Sequence, residues 1–288
     1  MTMHSVNSTA GEPDENKLSL KYGVLVYLDA LGAKNFSKEK NEQFLIFIKG
    51  LWDKLTRYDL CYPFSDKKNE IDFRKVEVNR PDRKIFGDTV VYAWAFEDRA
   101  KAIEILPHII RCLVPAIRIG LENKPNKFML RGAVSIGKYH DLPNDSSIIL
   151  GPALVDAHEW HDQAEWMGII ATPTCGFKLS TIALDVGGNR RYGFIFLDYD
   201  VPVKDGKKMY LWTVSWPWAY YYNPEKGRKN FFEGFAEDEI PFEASAKYIN
   251  TQKYFNDYLT YFSNKCKLET WRTLCKKESN HKERGKCL

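Results

Sequence analysis

Short apolar runs alternate with amphipathic stretches along most of the chain, a pattern typical of strands and helices that share one core. The apolar runs predict strands over residues 22–29, 84–86, 89–96, 128–136, 147–151, 168–172, 191–198 and 208–213. Apolar residues at helical spacing predict helices over residues 42–55, 99–121, 152–166 and 244–262. This order of elements predicts an α+β fold in which helices pack on one mixed sheet.

Finer features follow from the same pattern. The helix over 42–55 is expected to bury one stripe, formed by Phe44, Phe47, Ile48, Leu51 and Leu55. Pro107 and Pro115 predict a kink in the helix over 99–121, or its division into two pieces. Loops are expected at 59–69 and 139–145, and a half-exposed strand at 71–78. The aromatic segment 216–222 is interpreted as packing against the core or an interface rather than as a stacking platform.

Composition narrows the class of protein. The chain has 288 residues, 44% of them hydrophobic, and a net charge of +4, so a sizeable core can form and bulk charge gives no reason to expect nucleic-acid binding. We expect a polar, disordered lead over 1–18, one domain over 19–265 and a polar, basic tail over 266–288. No leader peptide and no apolar run of membrane-spanning length is visible, which predicts a soluble, cytoplasmic protein without a membrane partner. Six scattered cysteines without a CxxC pair are interpreted as free thiols in a reducing compartment.

The first candidate for chemistry is Asp29, which ends the apolar run 24–28. Ala30, Leu31, Gly32 and Ala33 follow as a turn into a polar segment that starts a helix. A carboxylate at the end of a strand can hold a hard cation, and free backbone N–H groups at such a turn can hold a phosphate. The alternative interpretation, a helix cap or a solvated acid, stays open at this point.

Asp88 is the second candidate. Gly87 and Asp88 lie between two apolar runs, which predicts a hairpin with the acid at its tip. Together with Asp29 it supplies the two carboxylates that a two-metal site requires.

Four segments, in order, resemble the motifs of class III nucleotidyl cyclases over about residues 20–170. Asp29–Gly32 resembles the family's D-[I/L]-x-G, 84–88 its K-x-x-G-D hairpin, 131–137 its R-x-G strand with a shifted glycine, and 151–157 its G-x-x-V-N-x-A helix start. The particular versions look closest to the compact pyrimidine cyclases of the Pycsar anti-phage system.

The resemblance implies a reaction. It implies conversion of UTP, or of CTP, to the 3′,5′-cyclic monophosphate and pyrophosphate, with two Mn²⁺ or Mg²⁺ ions in each site. The ligands implied for the metals are Asp29, Asp88 and the carbonyl of Ala30, and the backbone of Leu31, Gly32, Ala33 and Lys34 would hold the phosphates. It also implies a homodimer with active sites at the interface, and a separate effector that senses the cyclic nucleotide during antiviral defence.

Three further side chains have a structural and a functional interpretation each. Lys84 is a solvated edge charge or a contact to the base. Arg131, inside an apolar strand, forms a buried salt bridge or contacts the base or the triphosphate. Tyr27 shares a face with Asp29 and either packs in the core or narrows the base pocket in favour of a pyrimidine. His158 and His161 are interpreted as surface groups.

The chain departs from the family at one helix. The family places an Asn and, four residues later, an Arg there to support the transition state, whereas this chain has Val155 or Asp156 and then Glu159 or Trp160. A non-catalytic dimer that binds nucleotide therefore remains an alternative. A cyclase that uses ATP or GTP is another, because motif spacing does not reveal the choice of base. A haloacid-dehalogenase-type phosphatase is disfavoured, because Leu31 stands where that class needs a second Asp.

Overall fold

The computed structural model describes residues 19–57, 78–142, 145–185, 194–221, 224–236, 240 and 242–265. The predicted lead 1–18, the loop 59–69, the tail 266–288 and all of the predicted strand 71–78 except Val78 lie outside these residues. The predicted extent of the domain, 19–265, therefore stays a prediction.

The described strands form one mixed, eight-stranded sheet. They are β1 (Ser19–Ala30), β2 (Asp82–Phe86), β3 (Thr89–Phe96), β4 (Leu130–Leu142), β5 (Asp145–Leu150), β6 (Ile169–Ala171), β7 (Phe196–Pro202) and β8 (Lys208–Val214). Their order across the sheet is β2-β3-β1-β4-β6-β8-β7, and β5 pairs with β4. Only β4 and β6 pair in parallel among these strands.

The described helices pack on this sheet. They are α1 (Lys38–Arg57), α2 (Arg99–Leu113), α3 (Ala116–Leu121), α4 (Pro152–His161), α5 (Pro173–Asp185), α6 (Trp218–Tyr221), α7 (Pro224–Ala236) and α8 (Ser245–Lys265). The predicted α+β class, with a mixed sheet and helices on it, is confirmed. None of the described helices is long and apolar enough to cross a membrane.

Alternation along β1 divides the sheet into two faces. Val24, Val26 and Leu28 point into the large core cluster, which contains the predicted stripe of α1, now extended by Trp52. Leu25 points the other way, into a small cluster with Val91, Ala93 and Ala153. Because Ala153 belongs to α4, that helix covers part of this second face, and the rest of the face carries the candidate site.

Several element boundaries differ from the predictions. The segment 139–145 was predicted as a loop, but β4 continues to Leu142, because β1 pairs with it as far as Asp141 and Lys21 forms a 2.5 Å ion pair with that residue. Helix α4 ends at His161 rather than at 166, because the chain beyond it forms a bridge between Ala164 and Val203. The strand predicted at 191–198 is β7, which begins at Phe196.

Some of the predictions about the helices are confirmed and others are not. Pro115 divides the helix predicted over 99–121 into α2 and α3, whereas Pro107 lies inside α2. Helices α5, α6 and α7 were not predicted, and α6 lies in the aromatic segment 216–222, where a loop was expected. The aromatic segment packs in the core as expected, with Trp216 fully buried and Trp218 nearly so. Cys112 and Cys175 are buried free thiols, and the other four cysteines lie outside the described residues.

Candidate active site

Asp29 and Asp88 lie side by side at one end of the sheet. Asp29 is near the end of β1, opposite Thr89 of β3, and the β2–β3 turn carries Asp88 directly before Thr89. The N–H of Ala30 donates to the carbonyl oxygen of Asp88 at 3.1 Å, which fixes the hairpin tip against β1. Gly87 makes this turn possible, since its φ of +59° is in the left-handed region. The two predicted acids are therefore brought together.

Asp29 is buried and has two side-chain partners. Its Oδ1 accepts a hydrogen bond from the hydroxyl of Thr89 at 3.3 Å, and its Oδ2 accepts one from Nε of Arg131 at 3.0 Å. The Asp29 side chain is 10% exposed. Burial raises the pKa of Asp29, the positive charge of Arg131 lowers it, the charge of Asp88 raises it, and the net shift is upward. The ionised form of Asp29 therefore needs positive charge beside it.

Arg131 forms the buried ion pair that was one of its two interpretations. It lies opposite Asp29 on β4, so its guanidinium reaches that carboxylate directly. Its other end, Nη1, donates to Asp162, the residue that follows α4. Asp162 also accepts a hydrogen bond from Nζ of Lys204. Asp162 and Lys204 were not identified from the sequence, which signalled only that a buried arginine needs a partner.

Tyr27 lies on the face of Asp29, as predicted, and packs against two histidines of α4. Its ring centroid is 4.3 Å from that of His161 and 5.3 Å from that of His158. Its hydroxyl is 3.1 Å from Nδ1 of His158. His158 is exposed, as expected, but His161 is buried, so its interpretation as a surface group was wrong. Burial lowers the pKa of His161 and raises that of Tyr27, which favours neutral rings in this contact.

Lys84 is buried rather than a solvated edge charge, with 7% of the residue exposed. It lies opposite Val91, which in turn lies opposite Tyr27, so the three side chains share one face of the sheet. This places the side chain of Lys84 on the same face of the sheet as Asp29. Contact with a base stays a prediction.

The turn after β1 offers only part of the expected backbone donors. The N–H of Leu31 already donates to the carbonyl oxygen of Met129 at 2.8 Å, so this donor is occupied. Gly32, with φ of +78°, then starts a 3₁₀ helix over Ala33–Asn35. The first N–H groups of such a turn have no acceptor within it. Gly32, Ala33 and Lys34 therefore remain the candidates for binding a phosphate.

The donor set suits a small, hard cation that completes its shell with water and phosphate. No group of three or more His, Cys, Asp or Glu side chains arranged to hold a metal occurs among the described residues. Mg²⁺ is commonly bound by one or two carboxylates together with substrate phosphates rather than by a complete protein cage. Asp29 and Asp88, with the predicted carbonyl of Ala30, fit this kind of binding.

Comparisons with known proteins give only distant likenesses. No family model and no curated protein matches the chain. Among solved structures, the chain is similar to the catalytic core of a rhodopsin-guanylyl cyclase with converted specificity in complex with ATPαS. The identity is 11%, the match covers 69% of this chain and 98% of that one, and the TM-score is 0.43. The adenylyl cyclase CyaB from P. aeruginosa has 12% identity, coverage of 69% and 95%, and a TM-score of 0.40.

A third likeness is of the same kind. The guanylate cyclase domain of RhGC from Catenaria anguillulae, in complex with GTP, has 12% identity, coverage of 68% and 97%, and a TM-score of 0.40. Identities of 12% or less and TM-scores below 0.5 are too low to establish a function or site residues in this chain.

Proposed function

We propose that this chain is a nucleotidyl cyclase that converts a pyrimidine nucleoside triphosphate, UTP in preference to CTP, to its 3′,5′-cyclic monophosphate and pyrophosphate. The observation that carries the proposal is the pairing of Asp29 and Asp88 at adjacent strand ends, linked by the hydrogen bond from Ala30 to Asp88. The family motifs around both acids agree with it. Two acids on neighbouring strand ends are the protein contribution that a two-cation site needs.

The reaction closes a ring on one phosphorus atom. The ribose 3′-oxygen gives up its proton to solvent and forms a bond to the α-phosphorus, while the bond from that phosphorus to the pyrophosphate oxygen breaks. When bound, Mn²⁺ or Mg²⁺ ions supply Lewis-acid stabilisation of the attacking and leaving oxygens. Asp29 and Asp88 would hold these ions.

Other residues would bind the triphosphate. The N–H groups of Gly32, Ala33 and Lys34 would bind phosphate oxygens. Arg131 would add positive charge beside the developing negative charge.

The preference for a pyrimidine rests on the ring cluster around Tyr27. The phenol ring packs against the stacked rings of His158 and His161, two residues before the proposed metal ligand Asp29, and this cluster reduces the room for a base on that face. Lys84, buried on the same face, is the proposed contact for the base edge. A smaller, pyrimidine base fits such a surface better than a purine.

The experiment is an incubation of the purified chain with each of ATP, GTP, CTP and UTP in the presence of Mn²⁺, with cyclic products identified by mass spectrometry. Cyclic UMP or cyclic CMP should form, and Asp88→Asn should lower its rate by about 10²-fold or more. Asp82→Asn, an equal change of charge at an exposed position on the same hairpin, should leave the rate unchanged.

Other products would change the proposal. Cyclic AMP or cyclic GMP would retain the reaction and overturn the base preference. An absence of product from all four nucleotides, with nucleotide still bound, would favour the non-catalytic dimer.

In cells, the proposed product is a messenger. We propose that a separate effector binds the cyclic pyrimidine nucleotide during defence against phage. Cells that carry the chain and its effector should resist phage infection, and the Asp88→Asn variant should remove that resistance. Unchanged resistance in the variant would separate defence from the cyclase reaction.

A further inference from the structure

Four charged side chains form a continuous ion chain across the candidate site. The carboxylate of Asp29 pairs with Arg131 at 3.0 Å, Arg131 pairs with Asp162, and Asp162 pairs with Lys204. The inner pair is largely buried, with side chains 10% and 14% exposed, whereas Asp162 and Lys204 are 41% and 44% exposed. This ion chain therefore runs from Asp29, the candidate metal ligand, out to solvent.

The backbone holds the outer members of this ion chain in place. Asp162 directly follows α4, and Lys204 opens the turn between β7 and β8. The N–H of Lys204 donates to the carbonyl oxygen of Gln163 at 3.0 Å, and that of Glu165 donates to Pro202 at 2.9 Å. These bonds fasten the two segments to each other, so Asp162 faces Arg131 from a fixed position.

The guanidinium of Arg131 is shared between two carboxylates. Its Nε donates to Asp29 and its Nη1 donates to Asp162. A guanidinium is planar and rigid, so a partner at one end restricts how far the other end can turn. Asp162 thus competes with Asp29 for the positive charge of Arg131. Lys204 weakens that competition, because its own positive charge offsets part of the negative charge of Asp162.

We propose that Asp162 is a positioning residue that holds one end of the Arg131 guanidinium, limits the pairing of Arg131 with Asp29 to the Nε contact, and thereby keeps Asp29 available to a divalent cation. This inference rests on the proposed function, because it takes Asp29 as a metal ligand. Without Asp162, Arg131 is left with Asp29 as its carboxylate partner, and a cation must then compete with a stronger ion pair. Without Lys204, the charge of Asp162 draws Arg131 more strongly, and Asp29 becomes more available.

The test measures Mn²⁺ affinity of the purified full-length chain, without nucleotide, by electron paramagnetic resonance. Asp162→Asn should weaken Mn²⁺ binding by about three- to tenfold. Lys204→Met should strengthen it by about two- to threefold, since an exposed pair has a smaller effect. Asp162→Glu, which keeps the carboxylate, should restore most of the affinity that Asp162→Asn loses.

Loss of a negative charge near a cation site weakens binding even without any role for Arg131, so two controls are needed. Glu165→Gln removes a carboxylate three residues further along and should change the affinity by less than about twofold. In an Arg131→Met background, Asp162→Asn should have little further effect, because the residue through which Asp162 acts is gone. Thermal unfolding of each variant verifies that it is folded.

Each outcome separates this inference from the proposed function. Suppose that the wild-type chain binds Mn²⁺ and that Asp88→Asn abolishes this binding. If Asp162→Asn then has the same Mn²⁺ affinity as Glu165→Gln, the positioning role is overturned and the proposed function stands. An equal effect of Asp162→Asn with and without Arg131 overturns the role as well. If the wild-type chain binds no Mn²⁺ with or without nucleotide, the metal site of the proposed function fails, and this inference fails with it.

Discussion

At the scale of single residues, the site concentrates opposing effects on one carboxylate. Burial and the neighbouring Asp88 raise the pKa of Asp29, and Arg131 lowers it. A buried carboxylate is stable in its ionised form only beside positive charge. In the described structure that charge is Arg131, and in the proposed reaction a cation shares the role.

Tyr27 gives the prediction that belongs to this scale. If its ring narrows the base pocket, Tyr27→Ala should widen it and raise the ratio of kcat/KM for ATP to that for UTP by about tenfold or more. Tyr27→Phe keeps the ring packed against His158 and His161 and should leave the ratio close to that of the wild type. Steady-state kinetics with both nucleotides measure this, and an unchanged ratio in the alanine variant would remove Tyr27 from base selection.

At the scale of elements, β1, α1 and the β2–β3 hairpin were predictable, because the apolar residues of each recur at a regular spacing with few exceptions. The end of β4 was not, because its polar residues owe their strand conformation to pairing with β1 rather than to their own pattern. Helix α5 was missed although Thr172 precedes Pro173, a sequence typical of a helix start. The hydroxyl of Thr172 does accept a hydrogen bond from the N–H of Cys175, at 3.4 Å.

The same distinction applies to the site. Asp29 and Asp88 were predictable because each lies at the end of a strand whose pattern is visible locally. Asp162 and Lys204 are 31 and 73 positions beyond Arg131 (162 − 131 and 204 − 131), and no local pattern relates them to it. His161 was misjudged because its burial depends on how α4 packs against Tyr27, which sequence spacing does not reveal.

Gly132, in the motif strand β4, gives the prediction for elements. A Cβ at this position would overlap the carbonyl oxygen of Tyr27 and the side chain of Leu28. Gly132→Ala should therefore push β4 from β1 and lower the free energy of unfolding by about 1–3 kcal/mol or more. At Gly137 a Cβ would meet that of Ala153 at 3.5 Å, an ordinary contact, so Gly137→Ala is the matched control. Chemical denaturation measures both variants, and equal stabilities would show that the close approach of the strands does not require Gly132.

At the scale of the whole molecule, the two faces of the sheet differ in what they offer to a partner. The large core cluster fills one face under α1 and α2. The other face carries the two acids, α4 and two exposed apolar side chains, Phe86 at 49% and Val155 at 51% exposure. Phe86 lies opposite Thr89, so it is on the face of Asp29. A second copy of the chain that covered this face would also enclose the site, as the predicted homodimer requires.

Val155 provides the test of that assembly. A lysine in place of Val155 would bring a charge into an interface formed on this face, where desolvated charges are disfavoured. Val155→Lys should shift the mass measured by sedimentation at micromolar concentration from that of a dimer to that of a monomer, and cyclase activity should fall in parallel. Ile46→Lys is the control, because Ile46 is also an exposed aliphatic residue on a helix, 71% exposed on α1. A dimer that survives Val155→Lys would mean that the copies meet elsewhere, and a wild-type chain that sediments as a monomer would mean that each site works, or fails, within a single copy.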